Sequence, residues 1–257
     1  SSGIAFNEVT QAMENDWLKA IFAAGVSFTP GSKMGYNSMN SYLLAALVDK
    51  TSGVPLLDYL RPRLFEPMGF GPIAWETCPA GYEKGGWGLY MMPEDMAEIG
   101  QRYLQKGEWE VDGKKRQWLP KKWVEEATTV QSVGDEGETY GYHIWIDGDD
   151  GAYIMSGMFG QCVVVIPKQE MVIVMTAGNT RLFITAPSFT LMRQHFYPPF
   201  EAPAALPQNP TAYAALPSPL RPLPFARPLP PRAPPPTPLP GPVHPPGLRT
   251  PPSPPAS

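Results

Sequence analysis

The distribution of proline divides this chain of 257 residues into two regions with different physical behaviour. The sequence contains 34 prolines, and 24 of them follow Tyr197. Proline has no backbone N–H and fixes φ, so a segment this rich in proline does not support a helix or a central strand. We therefore predict one folded domain over residues 1–197 and a disordered, proline-rich tail over residues 198–257.

The charge and the apolar runs exclude several classes of function. The formal net charge is -4, and acidic and basic residues are interspersed. We therefore expect no nucleic acid as a partner and no binding to anionic lipid. The longest apolar runs, QCVVVIP and MVIVM, are far too short to form a membrane span. A small-molecule or peptide-like substrate is expected, and the sequence indicates no particular compartment.

The cysteines and histidines show no metal-binding pattern. Cys78 and Cys162 are far apart, there is no CxxC motif, and the three histidines are scattered without an HExxH motif. Zinc sites need such ligands at short, regular spacings. We predict buried, unpaired thiols, no metal site and no organic cofactor.

The first half of the folded region has the pattern of helices. The run MNSYLLAALVDKTSG follows a side-chain cap at Asn37 or Ser38 and stops at Gly53. The run LLDYLRPRLFEPMG predicts a shorter helix that breaks near Pro62, and Pro93 begins a helix over PEDMAEIGQRYLQKG. A further short helix is predicted over LPKKWVEEA.

Strand patterns dominate the second half. The runs GYHIWI, AYIMSG, GQCVVVIP and MVIVMTAG are short and rich in β-branched and aromatic residues, and PKQE is suited to a hairpin loop. The run NTRLFITAPSFTLMRQHF predicts a closing helix. Helices followed by consecutive strands with short connections predict an α+β domain with an antiparallel sheet.

Three strings narrow the choice of fold. They are SSGI, then PGSKMGYNSMNSYLLAALVDKTSGVPLLDYLRPRLFEPMGF, and finally SGMFGQ followed by a strand hairpin. Together they resemble the class C β-lactamase-related serine hydrolases, within the β-lactamase and penicillin-binding protein superfamily. The resemblance covers residues 1 to about 196. It implies a β-lactamase/transpeptidase-like α+β fold, with a helical subdomain beside an antiparallel sheet. It also implies cleavage of an ester or amide, such as a β-lactam, a D-alanyl peptide or a small ester, through an acyl-enzyme.

In that family an SxxK helix, a YxN or YxS motif and a KTG-like triplet surround one cleft. Tyr36 and Ser38 match the YxS motif. The resemblance implies that Tyr36 relays a proton between the nucleophilic serine and the leaving group. It implies that Ser38 hydrogen-bonds the lysine or the substrate amide.

Met155, Ser156 and Gly157 occupy the position of the KTG-like triplet. The resemblance implies that Ser156 and Gly157 bind substrate at the strand edge, and that the Met158 N–H forms half of an oxyanion hole. Met155 departs from the lysine or histidine of many relatives. This departure disfavours recognition of a substrate carboxylate and favours an esterase or amidase.

The nucleophile motif is a larger departure. No serine or threonine in this sequence is followed three residues later by lysine, and there is no GxSxG motif. In relatives the SxxK motif lies several tens of residues before the SGI string. We therefore expect the nucleophile, its helix and the first strands to precede Ser1, and we expect this chain to be inactive alone.

Structural roles compete with catalytic ones at several positions. The tyrosine of YNS can pack beside a helix that the next two residues cap, and Ser156–Gln161 can be a tight strand connection. Trp87 is expected to fill space under its glycine-rich loop rather than to face a substrate. Glu94 and Asp95 are expected to be solvated residues at a helix start.

The tail suggests a function of a different class. The run RPLPPRAPPP, beginning at Arg227, has the arginine and PxxP spacing of ligands that bind aromatic-lined grooves as a polyproline II helix. A stiff linker or a shifted reading frame also explains this composition. A non-catalytic adaptor that keeps the cleft and offers the tail to a polyproline-binding partner is therefore the alternative to a serine hydrolase.

Overall fold

The computed structural model describes residues 1–7, 14–111, 114–147, 151–178, 192, 194–195 and 209–215. The chain forms two compact units, Ser1–Pro207 and Gln208–Ser257. In the second unit, the described residues contain one short helix, Pro210–Ala215.

Several predictions fall outside the described residues. They include the PxxP motif and most of the closing helix predicted after Gly178. The boundary between residues 197 and 198 stays a prediction.

Five helices are described in the first unit: α1 Trp17–Ala24, α2 Met39–Ser52, α3 Leu56–Leu60, α4 Pro93–Leu104 and α5 Lys121–Ala127. Local chemistry sets their limits. The Asp16 carboxylate accepts a hydrogen bond from the Lys19 N–H at 3.0 Å and so caps α1. Gly53 ends α2 in the left-handed conformation, as predicted. The predicted break near Pro62 is a change from α3 to a π-helical turn, Arg61–Phe65.

The buried side of α2 is not the side that carries most of its leucines. Met39 and Tyr42 are fully buried, whereas Leu44 and Leu47 are 53% and 57% exposed. The Tyr42 ring packs edge-on against Trp17 of α1, with centroids 5.2 Å apart. The interior therefore takes the aromatic side of α2 and leaves an apolar strip on its outer surface.

Ten strands are described: β1 Ala74–Trp75, β2 Leu89–Tyr90, β3 Glu108–Val111, β4 Lys114–Gln117, β5 Ser132–Val133, β6 Thr139–Tyr140, β7 Trp145–Asp147, β8 Ala152–Ser156, β9 Cys162–Ile166 and β10 Met171–Met175. Six of them form an antiparallel sheet in the order β10-β9-β8-β7-β6-β5. The predicted hairpin loop PKQE is a 3₁₀ turn between β9 and β10. The predicted α+β class with an antiparallel sheet is confirmed.

The sheet buries apolar side chains on both faces. Alternate residues of β8 and β9 point to opposite sides, as strand geometry requires. Ala152, Ile154 and Val164 belong to one cluster, and Tyr153 and Val165 belong to the other. Residues of α4 pack against the second cluster, so the sheet has a face covered by α4 and an opposite face.

A glycine brings α4 close to the sheet. A Cβ atom at Gly100 would lie 2.6 Å from a methyl carbon of Val172 and 2.7 Å from one of Val163. Only a residue without a side chain allows this approach. The small residue in the predicted helix therefore has a packing role.

Two hairpins lie apart from the main sheet and were not predicted. β1 pairs with β2, and β3 pairs with β4. The hairpin formed by EWEV and KKRQ is short and highly charged. Its strings therefore lack the apolar alternation that identifies a strand in a sequence. Arg102 of α4 lies beneath it, with its guanidinium 4.0 Å from the Trp109 ring centroid and 5.5 Å from that of Trp118.

The expectation for Asp95 was wrong. Asp95 is 1% exposed, and its carboxylate accepts a hydrogen bond from the Gly71 N–H at 2.8 Å. The first turn of α4 is packed against the preceding loop, so this carboxylate holds the loop instead of facing solvent.

Candidate active site

The YNS turn is fixed to the N-terminal segment by the Asn37 side chain. Its Nδ2 donates hydrogen bonds to the carbonyl oxygens of Ile4 and Phe6, at 3.2 and 2.8 Å. Its Oδ1 accepts a hydrogen bond from the Met39 N–H at 2.9 Å. Ser38 is the N-cap residue by backbone position, but Asn37 supplies the side-chain cap. One amide thus joins the SGI string to the start of α2.

Tyr36 lies on an aromatic cluster at the sheet. Its ring stacks on the indole of Trp145, with centroids 5.6 Å apart and planes 25° apart. Tyr140 meets the Tyr36 ring edge-on at 6.0 Å and the Trp145 ring at 4.7 Å. Burial and the nearby Tyr36 raise the pKa of the Tyr140 phenol. Tyr36 itself is 58% exposed, so one side of its ring faces open space.

The strand register places Tyr36 and Ser156 at the same end and on the same face of the sheet. Trp145, the first residue of β7, pairs with Ile154 of β8. Directly paired residues of antiparallel strands share a face, and so do residues two apart along one strand. Ser156 lies two residues beyond Ile154, a rise of about 7 Å along β8. The two predicted motifs therefore lie near the same end of the sheet.

Met155 faces the other side. Its side chain packs in the cluster on the face covered by α4. The first position of the KTG-like triplet thus carries an apolar side chain that is directed away from the face occupied by Trp145. Packing against the cluster on the α4 side explains why this position carries an apolar residue.

A tight turn follows Ser156. The Gly157 N–H donates a hydrogen bond to the Gln161 carbonyl at 2.8 Å. Phe159 and Gly160 both have positive φ, 64° and 99°. The Gln161 side chain donates a hydrogen bond to the Ala177 carbonyl at 2.6 Å, so it braces the turn against the segment after β10. The structural role proposed for this stretch is present.

Gly157 is not required by that turn. Its φ of -114° and ψ of 161° are extended angles that any residue adopts. A Cβ atom there would lie 3.4 Å from the Gln161 carbonyl oxygen, which is an ordinary contact. The following residue, Met158, is 41% exposed. Because Gly157 has no side chain, there is free space beside the end of β8, and the fold does not need that space.

The glycine-rich loop packs against the backbone that carries Ser38. A Cβ atom at Gly86 would lie 2.6 Å from the Ser38 carbonyl oxygen, and one at Gly85 would lie 2.4 Å from that of Ser41. The loop can approach the first turn of α2 only because both residues lack side chains. Trp87 in the same loop stacks on Trp17 at 5.8 Å, which agrees with the expected space-filling role.

Two features of this region escaped the sequence analysis. The pairing of Trp145 and Tyr140 with Tyr36 joins residues about one hundred positions apart. The other feature is a contact of 3.2 Å between Ser41 Oγ and His143 Nδ1. The aromatic-rich run TYGYHIWI indicates a strand, but nothing in it indicates a contact with Tyr36 or Ser41.

The described residues limit other kinds of chemistry. Among them, no group of three His, Cys, Asp or Glu side chains is placed to hold a metal ion. Both cysteines are buried and unpaired, as predicted, and burial raises the pKa of Cys162 to about 11. Within the same part of the chain, no helix has the length and apolar character needed to cross a bilayer.

Comparison with known proteins decides the family. The β-lactamase family model matches residues 1–182, which is most of the chain. The chain belongs to the β-lactamase family. The match includes the YNS turn, the glycine-rich loop, the sheet and the turn after β8. No curated protein matches the chain.

Solved structures of β-lactamase-like and penicillin-binding proteins have the same fold. A protein assigned as a 6-aminohexanoate-dimer hydrolase from Bacillus anthracis aligns with a TM-score of 0.59 and 25% identity, over 69% of this chain and 47% of that one. A β-lactamase from Mycobacterium bovis aligns with a TM-score of 0.52 and 18% identity, over 66% and 68% of the two chains.

A penicillin-binding protein from Bacillus halodurans aligns with a TM-score of 0.50 and 20% identity, over 68% of this chain and 60% of that one. The chain spans about half of the length of the Bacillus anthracis protein. At the family level, these neighbours are hydrolases and penicillin-binding proteins.

Proposed function

We propose that this chain contributes the tyrosine motif and the substrate-binding strand of a serine hydrolase that cleaves an ester or amide. The observation that carries the proposal is the placement of Tyr36 on Trp145, on the face and at the end of the sheet where β8 reaches Ser156. The Tyr36 ring is partly exposed, and Gly157, which leaves open space at the end of β8, lies three residues beyond the Ile154 that pairs with Trp145.

Tyr36 takes the role of proton relay in this proposal. In this relay Tyr36 acts as a phenolate beside the lysine of an SxxK motif, and the nucleophilic serine of that motif loses its proton to the phenolate oxygen as the serine oxygen bonds to the carbonyl carbon of the substrate. The same proton passes to the leaving nitrogen or oxygen as that bond breaks. Water then hydrolyses the acyl-serine and restores both groups. Ser38 hydrogen-bonds the lysine or the substrate amide.

The strand end binds the acyl group. Ser156 and Gly157 accept the substrate against the edge of β8, because no side chain at Gly157 fills that space. The Met158 N–H donates to the developing oxyanion. The triplet supplies no cation for a substrate carboxylate, since its first position is Met155, which packs on the opposite face of the sheet. This favours an ester or a simple amide over a β-lactam or a D-alanyl peptide.

One structural neighbour supports this choice of bond, since a protein that is 25% identical to this chain is assigned as a 6-aminohexanoate-dimer hydrolase. The comparisons do not favour the alternative of a non-catalytic adaptor with a polyproline-binding partner. That alternative depends on a tail that lies outside the described residues.

The chain lacks an SxxK motif, so we propose that it forms no acyl-enzyme by itself. A fluorescent penicillin and a fluorophosphonate should both fail to label it. The DNA upstream of the Ser1 codon should encode an in-frame SxxK, and the chain extended to include it should be labelled by the fluorophosphonate.

In the extended chain, Tyr36→Phe should slow labelling about 10²- to 10⁴-fold, the usual range for loss of a general acid–base group. Tyr90→Phe is the matched control, because Tyr90 is exposed to the same extent and lies on β2. Equal labelling of the Tyr36 variant and the unchanged protein would contradict the proposed relay. Labelling of this chain alone would contradict its inactivity.

A further inference from the structure

A pocket of about 260 Å³ lies beside α2, and none of the residues assigned above to catalysis or substrate binding is among its lining residues. One side of it is apolar, formed by Leu44, Ala45, Val48, Leu56 and Trp75. These residues come from α2, α3 and β1. The volume is slightly below the range of pockets for drug-sized ligands, so the pocket suits a small molecule or a short chain.

The pocket has one polar end, formed by Ser41 and His143. Ser41 Oγ lies 3.2 Å from His143 Nδ1. His143 has a left-handed backbone, with φ of 61°. The His143 side chain is exposed to solvent, but desolvation by its neighbours lowers the pKa of the imidazole and so favours the neutral ring near pH 7. When the serine hydroxyl donates to Nδ1, the neutral ring carries its proton on Nε2, and that N–H is a donor for a further group.

The glycine-rich loop closes one side of the pocket at Gly85. Gly85 has φ of 67°, and a Cβ atom there would lie 2.4 Å from the Ser41 carbonyl oxygen. The loop therefore packs against the first turn of α2 and holds the polar end beside the apolar wall. This arrangement depends on a glycine in a conformation that other residues rarely adopt.

The lining contains no charged side chain. A carboxylate or an ammonium would lose hydration on entering and would gain no opposite charge. A neutral ligand with an apolar chain matches the lining, since each buried CH₂ group is favourable and a carbonyl oxygen can accept from an imidazole N–H or a hydroxyl.

We propose that this pocket binds a short, neutral aliphatic chain that ends in a carbonyl group. The apolar wall of α2, α3 and β1 holds the chain, and the His143 Nε2–H, in the tautomer that the Ser41 hydroxyl favours, donates to the carbonyl oxygen. Binding requires no bond cleavage and no nucleophile, so it is a property of this chain whether or not the proposed hydrolase activity exists.

Titration with hexanamide, followed by two-dimensional NMR of the ¹⁵N-labelled chain, tests the proposal. The amide signal of Gly85 and the indole signal of Trp75 should shift and saturate together. Intermolecular NOEs should connect the ligand methyl group to Val48 and Trp75. Hexanoate should bind at least tenfold more weakly, because its carboxylate must be desolvated beside a neutral imidazole.

Two leucines on the same helix provide a matched pair of variants. Leu44 lines the pocket, whereas Leu47 is similarly exposed one turn along and does not line it. Leu44→Arg should weaken hexanamide binding at least tenfold, and Leu47→Arg should leave it unchanged. Both substitutions are at exposed positions, so circular dichroism should show the same helix content for both.

His143→Asn should weaken binding about three- to tenfold, the effect of one lost hydrogen bond. Asparagine tolerates the left-handed backbone, so the turn is kept. Shifts that fail to saturate, NOEs to other residues, or equal weakening by the two arginine variants would overturn the proposal.

Discussion

The rings of Tyr36 and Trp145 are stacked, with centroids 5.6 Å apart and planes 25° apart. This contact joins the turn before α2 to the first residue of β7. It crosses about one hundred residues of sequence and places a partly exposed phenol at the sheet end where β8 finishes. The YxS motif and the KTG-like triplet are brought into one region mainly by this stack and by the register between β7 and β8.

Trp145→Leu should release the Tyr36 ring. An aromatic pair of this geometry contributes about 0.5–1.5 kcal/mol beyond burial, so we expect a loss of about 1–2 kcal/mol in the free energy of unfolding, measured by urea denaturation. The ring-proton resonances of Tyr36 should move downfield as the shielding indole is removed. Trp123→Leu is the control, since Trp123 stacks on Tyr142 instead. Unchanged Tyr36 resonances in the Trp145 variant would contradict the stack.

Asn37→Ala should destabilise the chain by about 2–4 kcal/mol. The substitution removes a helix cap, which is worth about 0.5–2 kcal/mol, and two hydrogen bonds of about 0.5–1.5 kcal/mol each. Asn37→Asp keeps the cap but loses both donors and places a carboxylate beside two carbonyl oxygens. It should therefore be nearly as harmful in urea denaturation. If the Asp variant were as stable as the unchanged protein, the link to the N-terminal segment would carry no stability.

Gly85→Ala and Gly157→Ala should behave differently. Gly85 has φ of 67° and no room for a Cβ atom, so alanine should cost about 2–4 kcal/mol from strain and overpacking. Gly157 has extended angles and an ordinary contact distance, so alanine there should change the free energy of unfolding by less than about 1 kcal/mol. A large loss at Gly157 would show that the fold, and not a ligand, requires this glycine.

The imidazole of His143 should make stability depend on pH. Desolvation by neighbouring atoms lowers the pKa of this exposed side chain below the value of 6.5 expected in the unfolded chain. As the pH falls through 6.5, the unfolded state takes up a proton before the folded state does. The free energy of unfolding should therefore decrease until the pH reaches the folded pKa, and should be unaffected by this group above about pH 7.5. The difference between His143→Asn and the unchanged protein isolates this effect from the carboxylates, and a constant difference from pH 8 to pH 5 would contradict it.

Arg102 should tolerate loss of its charge better than loss of its bulk. The side chain is 2% exposed, and its three guanidinium nitrogens have no hydrogen-bond partner among the residues that the structure describes, although Nη2 lies 3.7 Å from Glu98 Oε2. Replacing a buried ion by an apolar side chain of similar size is often neutral or stabilising. Arg102→Met should be as stable as the unchanged protein or up to about 2 kcal/mol more stable.

Arg102→Ala should cost about 2–4 kcal/mol in the same urea experiment, because it leaves a cavity between Trp109 and Trp118. Equal losses for the Met and Ala variants would mean that the ion pair and the indole contacts outweigh the cost of burying the charge.

Local chemistry in the sequence predicted much of the secondary structure. Gly53 and Pro93 mark the end of α2 and the start of α4, and the β-branched runs became β8, β9 and β10. Each of these signals acts within a few residues. The β3–β4 hairpin was missed because its strands are charged, and its packing over Arg102 is a tertiary effect.

The buried state of Asp95 was also missed. A carboxylate in the first turn of a helix is usually solvated, and only the arrival of the loop at Gly71 makes it a buried acceptor. Tertiary packing also decides the exposure of Leu44 and Leu47, because periodicity identifies an apolar side of a helix but not which of two apolar sides meets the core.

By itself, the sequence determined the α+β class, the family resemblance, the identity of the YxS motif and the absence of an SxxK motif. These are properties of composition, short-range pattern and residue identity. The tertiary structure alone decided that Tyr36 stacks on Trp145 on the same sheet face as Ser156, and that Ser41 meets His143 at the end of an apolar pocket. Such contacts join residues about one hundred positions apart, and they are set by strand register and packing rather than by any local preference of the chain.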